Sequence, residues 1–270
     1  MLRTIIMVTV LAVALLFGQS FADVINGDVA NESLAHTVTL FFHQLLLVYW
    51  LGPDIAVFIW SRSAVNPQLT VEQRVTAGKM MAQIDLVPRV CLSLFLTVAG
   101  ILSDTYGLPH PWWQMAGIIL LGPVWLTIVL LTYINEGNEF GATVAKLDLI
   151  LRGILVVGIP VSVAYSLATD RLVDAPWIAG KLMALAGIIL LGLLMRLRFR
   201  AFFTGLDRLE KEGQSDDVDQ QMAGSLAKTR PYVHGIWVLL LLASMAGIVK
   251  PGDQVDRPGE VADQVSALVD

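Results

Sequence analysis

Residues 36–60 read HTVTLFFHQLLLVYWLGPDIAVFIW, and this stretch decides the fold class. A bilayer's hydrocarbon core is crossed by about 20 apolar residues in a helix, and the segment is that long and that apolar. It nevertheless carries His36, His43 and Asp54, together with a break at Gly52-Pro53. At 100° per residue His36 and His43 differ by about 20° in azimuth, Asp54 is offset from His43 by about 20°, and Trp50 falls on the same line. A stripe of ionisable groups facing lipid is costly, so it is expected to face other helices or a cavity.

The rest of the chain agrees with a membrane setting. Of its 270 residues 56% are hydrophobic and only 15% charged, with a mean hydropathy of +0.68. Soluble domains carry roughly 25% charged residues. Six apolar spans follow, near 36–60, 84–103, 112–133, 147–169, 176–197 and 231–249. The expected fold is therefore all-α, an integral membrane helical bundle of six transmembrane helices within residues 23–250. Ahead of it, Arg3, an apolar run over 5–18 and the small residues Ser20 and Ala22 read as a signal peptide, residues 1–22. A retained signal anchor is the alternative, and both place the following residues outside.

Lysine and arginine collect on the cytoplasmic side of membrane proteins. An outer start assigns eleven to that side: Arg62, Arg74, Lys79, Lys146, Arg196, Arg198, Arg200, Arg208, Lys211, Lys228 and Arg230. The outer segments hold three, Arg171, Lys250 and Arg257. This topology puts both mature termini on the periplasmic side of a bacterial inner membrane. Thr70 and Gln73 form a capping-box pair that predicts a short helix leading into the second span. Phe202 and Phe203 beside Arg198 and Arg200 read as a helix end at the headgroups. The polar run 211–221 reads as a mobile connection, and 251–270 as an acidic flexible tail.

Leu51-Gly52-Pro53 recurs as Leu121-Gly122-Pro123, and QIDLVPR at 83–89 recurs as KLDLILR at 146–152. These read as a parallel repeat of two-helix units. Asp85 with Arg89, and Asp148 with Arg152, are spaced for pairing along one helix face. Structural ion pairs are the favoured reading, a proton or ion path the other. Asp54 has no partner on its own helix but lies level with Arg89 and Arg152. A salt bridge to one of them is preferred over a proton relay.

The outer half holds His36, His43 and, at a shallow depth in the fifth span, Lys181. A lysine there can snorkel toward the interface, whereas a histidine in a membrane helix is hydrogen-bonded across helices or acts as a ligand. No other span has a histidine at that height. His110 falls in an outer loop and His234 at the inner end of the last span, so the chain permits at most one-histidine ligation within the bundle, or an axial partner from the loop. The single Cys91 rules out multi-cysteine metal sites in this chain. The methionines form no outer cluster, which disfavours copper. No phosphate loop, HExxH pair or GxSxG elbow is present, and the arginines around 196–208 read as topology signals rather than a nucleic-acid surface.

His43-x6-Trp50-x-Gly52, Ile84-x3-Pro88, Trp177-x3-Lys181 with an Arg-rich exit, and a last span closing on Lys250-Pro251 resemble the superfamily of copper-resistance D (CopD) membrane proteins. The pattern is also similar to the HemJ-type protoporphyrinogen oxidases. The resemblance covers the first two and last two spans. It implies a bundle that handles b-type heme (heme b), porphyrin or copper, with His43 as the axial or metal ligand and His36 and Lys181 beside it. HemJ-like proteins have four helices and an acidic residue before the last-span proline, where this chain has six spans and Arg230-Pro231. Three functions are thus open: a heme-associated redox or electron-transfer protein, a copper or small-cation transporter, and a non-catalytic subunit of a membrane complex. The partners implied are the lipid bilayer, other membrane subunits or a periplasmic redox protein.

Overall fold

The computed structural model describes residues 29–108 and 110–254, with side chains from Leu34 onward. The predicted signal peptide at 1–22 and the tail beyond 254 lie outside the described residues. Among the described residues seven helices follow one another: α1 (Val29–Ala64), α2 (Val71–Ile84), α3 (Leu86–Thr105), α4 (Trp112–Ile134), α5 (Glu139–Ala168), α6 (Pro176–Glu212) and α7 (Asp216–Val249). With α2 and α3 taken as one run, six helical segments are long and apolar enough to cross a membrane.

The face pattern of α5 shows why lipid is the fitting solvent. Asp148, Arg152, Leu155, Ile159, Val163 and Ser166 are buried. Ile150, Ile154, Val157, Val161 and Tyr165 are between 59% and 67% exposed. A helix that buries its ion pair and shows a continuous apolar face is inverted relative to the surface helices of soluble proteins.

Local signals set the boundaries. The Thr70–Gln73 capping box is formed, Thr70 Oγ1 accepting from the Gln73 amide at 3.3 Å and Gln73 Oε1 from the Thr70 amide at 3.0 Å. Only Asp85 separates α2 from α3. Pro88 falls in the first turn of α3, where a missing N–H costs nothing. Asn138 caps α5 through the Gly141 amide at 2.8 Å, and Ser215 caps α7.

Neighbour packing runs α1 on α3, α3 on α4, α4 on α5, α5 on α6 and α6 on α7. Side chains of α1 and α7 close the ring, with Phe58 packed edge-on to Trp237 at 5.4 Å. The core draws on all six spans, through Trp50, Leu92, Trp125, Ile159, Ile189 and Ile236 among others.

Two helices run further than expected. The sequence places the fifth span's end near 197 and a mobile stretch at 211–221, but α6 continues to Glu212 and α7 begins at Asp216. The reason is tertiary. Phe202, Leu206 and Leu209 of α6 pack with Val218 and Met222 of α7 and with Val75, Ala77 and Met81 of α2 in a second core. Spacings of three and four put one apolar stripe on each helix, and Gly213 turns the chain at φ +85°. The beginning of the 251–270 tail is held as well. Asp253 accepts hydrogen bonds from the Tyr106 hydroxyl and from Trp177 Nε1, and the Gln254 amide reaches the Asp174 carbonyl at 2.8 Å.

The Leu-Gly-Pro motif is used differently in its two copies. In α4 the Thr97 hydroxyl of α3 inserts into the helical ladder just before Pro123. It donates to the Ile118 carbonyl at 2.5 Å and accepts from the Gly122 amide at 2.8 Å. A Cβ on Gly122 would lie 2.7 Å from that hydroxyl oxygen, whereas a Cβ on Gly52 meets nothing within 4 Å. Gly122→Ala is therefore expected to destabilise by about 1–3 kcal/mol through overpacking. Gly52→Ala should be neutral or stabilising by up to about 1 kcal/mol from helix propensity. Thermal unfolding in detergent micelles compares the two, and responses of one sign would contradict this account.

Candidate functional site

The polar groups of the bundle sort into an outer and an inner set. In the outer half, His36 Nδ1 lies 3.2 Å from Thr105 Oγ1 of α3, with the Tyr106 ring 6.3 Å away. The His43 ring packs on Phe95 of α3 at 4.5 Å, and Phe95 also contacts Trp50 edge-on at 5.6 Å. His43 Nδ1 is buried with no hydrogen-bond partner, an unusual state for an imidazole nitrogen in an apolar interior. Lys181 of α6 lies within electrostatic reach of His43. Its ammonium sits 5.3 Å from the Trp177 ring centroid and close to Gly247 of α7, where a Cβ would meet Nζ at 2.8 Å.

Above this region a cap joins three chain segments. Lys250 Nζ lies 4.3 Å over the Tyr106 ring, and Asp253 ties Tyr106 to Trp177. His110 is held in the α3–α4 connection by Asp104, its amide donating at 2.9 Å and Nδ1 lying at 3.2 Å. His234 stands at the other end of the bundle, against Phe58 and Trp237.

The inner half contains the ion pairs. Asp85 pairs with Arg89. Asp148 pairs with Arg152 at 3.0 Å, and also with Arg196 of α6 at 2.5 Å. Trp125 Nε1 of α4 donates to the other Asp148 oxygen at 2.8 Å, while the Arg152 guanidinium lies 5.2 Å from the Trp125 ring centroid. One carboxylate therefore joins α4, α5 and α6. Asp54 departs from the expected pattern. In place of a salt bridge to Arg89 or Arg152, it accepts from Trp237 Nε1 of α7 at 2.5 Å. An indole N–H in an apolar setting needs an acceptor as much as a carboxylate needs a donor, so the two satisfy each other.

The predicted stripe is thus divided. His36 is tied to α3 and Asp54 to α7, and Phe95 touches both His43 and Trp50. Among the described residues no group of three or more histidine, cysteine, aspartate or glutamate side chains is placed to hold a metal ion.

A cavity of about 200 Å³ opens in the inner half, lined by residues of α1, α2, α3, α5, α6 and α7. Its charged lining is Asp54, Asp85, Arg89, Arg152, Arg196, Arg200 and Arg230, with the hydroxyls of Ser61 and Thr229 beside them. The individual residues were visible in the sequence as topology signals and flanking charges. Their convergence on one cavity was not, because α6 and α7 were expected to end at or begin with these residues. Trp125 and Trp237 were likewise unassigned, although a tryptophan at mid-span, away from the interfacial belt, is itself a signal for an interhelix acceptor.

No family model, curated protein or solved structure matches this chain. The functional reading therefore rests on the residues and their geometry.

Proposed function

We propose that this is a heme-associated membrane redox protein in which His43 supplies an axial ligand. The observation that supports this reading is the buried, unpartnered Nδ1 of His43. An imidazole nitrogen that has given up water and gained no hydrogen bond leaves the ring free to serve as a ligand to heme iron. Lys181, a cation carried into an apolar bundle, suits an anionic edge of the same group, and His36 stands about two helical turns further out. When bound, heme would supply one-electron transfer. The chain's part would be ligation by His43 and an apolar wall from Phe95 and Trp50.

A second reading has its own support. Several polar side chains here serve to join helices: His36 to Thr105, Asp54 to Trp237, and Asp148 to Trp125 and Arg196. A non-catalytic subunit of a membrane complex would need no more. Transport of copper or a small cation along the stripe is the weaker third reading, since His36 and Asp54 are tied to different helices.

An absorption spectrum of the detergent-solubilised protein from heme-replete cells separates these. A Soret band is expected, abolished by His43→Ala and retained in His36→Ala. A colourless preparation, or a band indifferent to His43→Ala, would sink the heme reading and leave the structural one.

A further inference from the structure

We infer that the arginine-lined cavity of the inner half is a binding site for a phosphate group, separate from the His43 region. Five guanidinium groups line it, from Arg89, Arg152, Arg196, Arg200 and Arg230. Three carboxylates answer them: Asp85 pairs with Arg89, Asp148 is shared by Arg152 and Arg196, and Asp54 is engaged by Trp237. Glu136 lies within electrostatic reach of Arg89 but does not line the cavity. Arg200 and Arg230 have no ion pair among the described residues.

A second observation points to a missing acceptor. Arg152 is only 3% exposed, and its Nη2 is buried without a hydrogen-bond partner. Its Nε is already committed to Asp148 at 3.0 Å. A buried guanidinium N–H left without an acceptor is expensive, and Arg152 belongs to the cavity wall. An anion in the cavity would satisfy it.

The size and charge of the site select among anions. About 200 Å³ is below the roughly 300–1,000 Å³ of pockets for drug-sized ligands, so the occupant's bound part is small. Two guanidinium charges exceed the three carboxylates. A phosphate group carries a charge of about −1.5 to −2 at neutral pH and three acceptor oxygens, and guanidinium forks match those oxygens in pairs. Such a group can belong to a soluble phosphate compound or to an anionic lipid headgroup. Arg200 and Arg230, both exposed, stand where either would enter.

The test uses the full chain in neutral detergent. Inorganic phosphate is titrated calorimetrically at constant ionic strength. In parallel, the protein is reconstituted in vesicles of equal parts phosphatidylcholine and phosphatidylglycerol, and the lipid it retains on extraction is identified by native mass spectrometry. Arg200→Gln, Arg230→Gln and the double variant are compared, with helical content and elution volume as folding checks. Because both side chains are exposed, at least one single variant should fold as the parent does.

Saturable phosphate binding, weakened about tenfold or more in a folded variant, places a soluble phosphate in the site. No phosphate heat, but preferential retention of phosphatidylglycerol that the variants lose, places a lipid headgroup there. Absence of both, or either one unchanged in the folded variants, overturns the proposal. None of these readouts depends on a Soret band, so this site and the His43 reading can fail separately.

Discussion

Asp148→Asn is expected to cost about 3–5 kcal/mol of stability, because it removes the carboxylate that the buried Arg152 and the half-buried Arg196 share. Asparagine keeps the volume and an oxygen for the Trp125 N–H, so what is lost is the charge. Arg152 is then left with its Nη2 already unpartnered and its principal counter-ion gone, beside the equally uncompensated Arg196. The matching change in the other repeat copy, Asp85→Asn, should cost under about 1 kcal/mol. Side chains of Asp85 and Arg89 are 21% and 38% exposed, against 3% and 4% for Asp148 and Arg152. Adding Arg196→Met to Asp148→Asn removes one stranded charge and should recover part of the loss. Denaturation in detergent micelles measures all three. Equal costs at 85 and 148 would show that burial does not separate the two pairs.

Asp219→Ala is expected to destabilise by about 2–3 kcal/mol, through a different cation. Arg74 is fully buried in the second core, where its Nε donates to the Ala64 carbonyl at 3.0 Å. Asp219 of α7 is its counter-ion, with Nη2 to Oδ1 at 2.7 Å. Removing the carboxylate leaves a desolvated guanidinium between α2, α6 and α7. The figure is set below the range for fully buried pairs because Asp219 is 22% exposed. Arg74→Met in the same chain should restore much of the stability, since an apolar side chain of similar length suits the surroundings. If the double variant is no better than Asp219→Ala alone, the loss lies in packing and not in charge.

What was legible in the sequence was set by local rules. The Thr70–Gln73 cap, the two Asp–Arg pairs and the six apolar runs depend on spacings of three or four residues or on length, which can be read along one chain segment. What was not legible depends on helices far apart in sequence. Asp54 finds Trp237 rather than an arginine at its own depth, a choice made by which faces of α1 and α7 meet. Arg196 looked like a flanking topology charge because its partner Asp148 lies on another helix. The run 211–221 looked like a connection because its polar content is high, although Val218 and Met222, with Phe202, Leu206 and Leu209 ahead of it, carry a helical stripe that becomes meaningful once α2 supplies the third wall. His43 was singled out as a residue without an obvious partner on its own helix. Its unpartnered nitrogen could be known only from the packing of α1 on α3.

The length of α6 has a mechanical consequence. Its 37 residues extend about 55 Å at 1.5 Å each, against roughly 30 Å of hydrocarbon, so something near 25 Å of rod stands clear of the bilayer. Locked to α7 and α2 by the second core, that rod is a lever arm. Its fulcrum lies among Arg196, Arg200 and Arg230. A tilt of about 10° there would swing the turn at 213–215 through about 4 Å, turning a small rearrangement at the membrane edge into a displacement that a distance probe at the tip could follow.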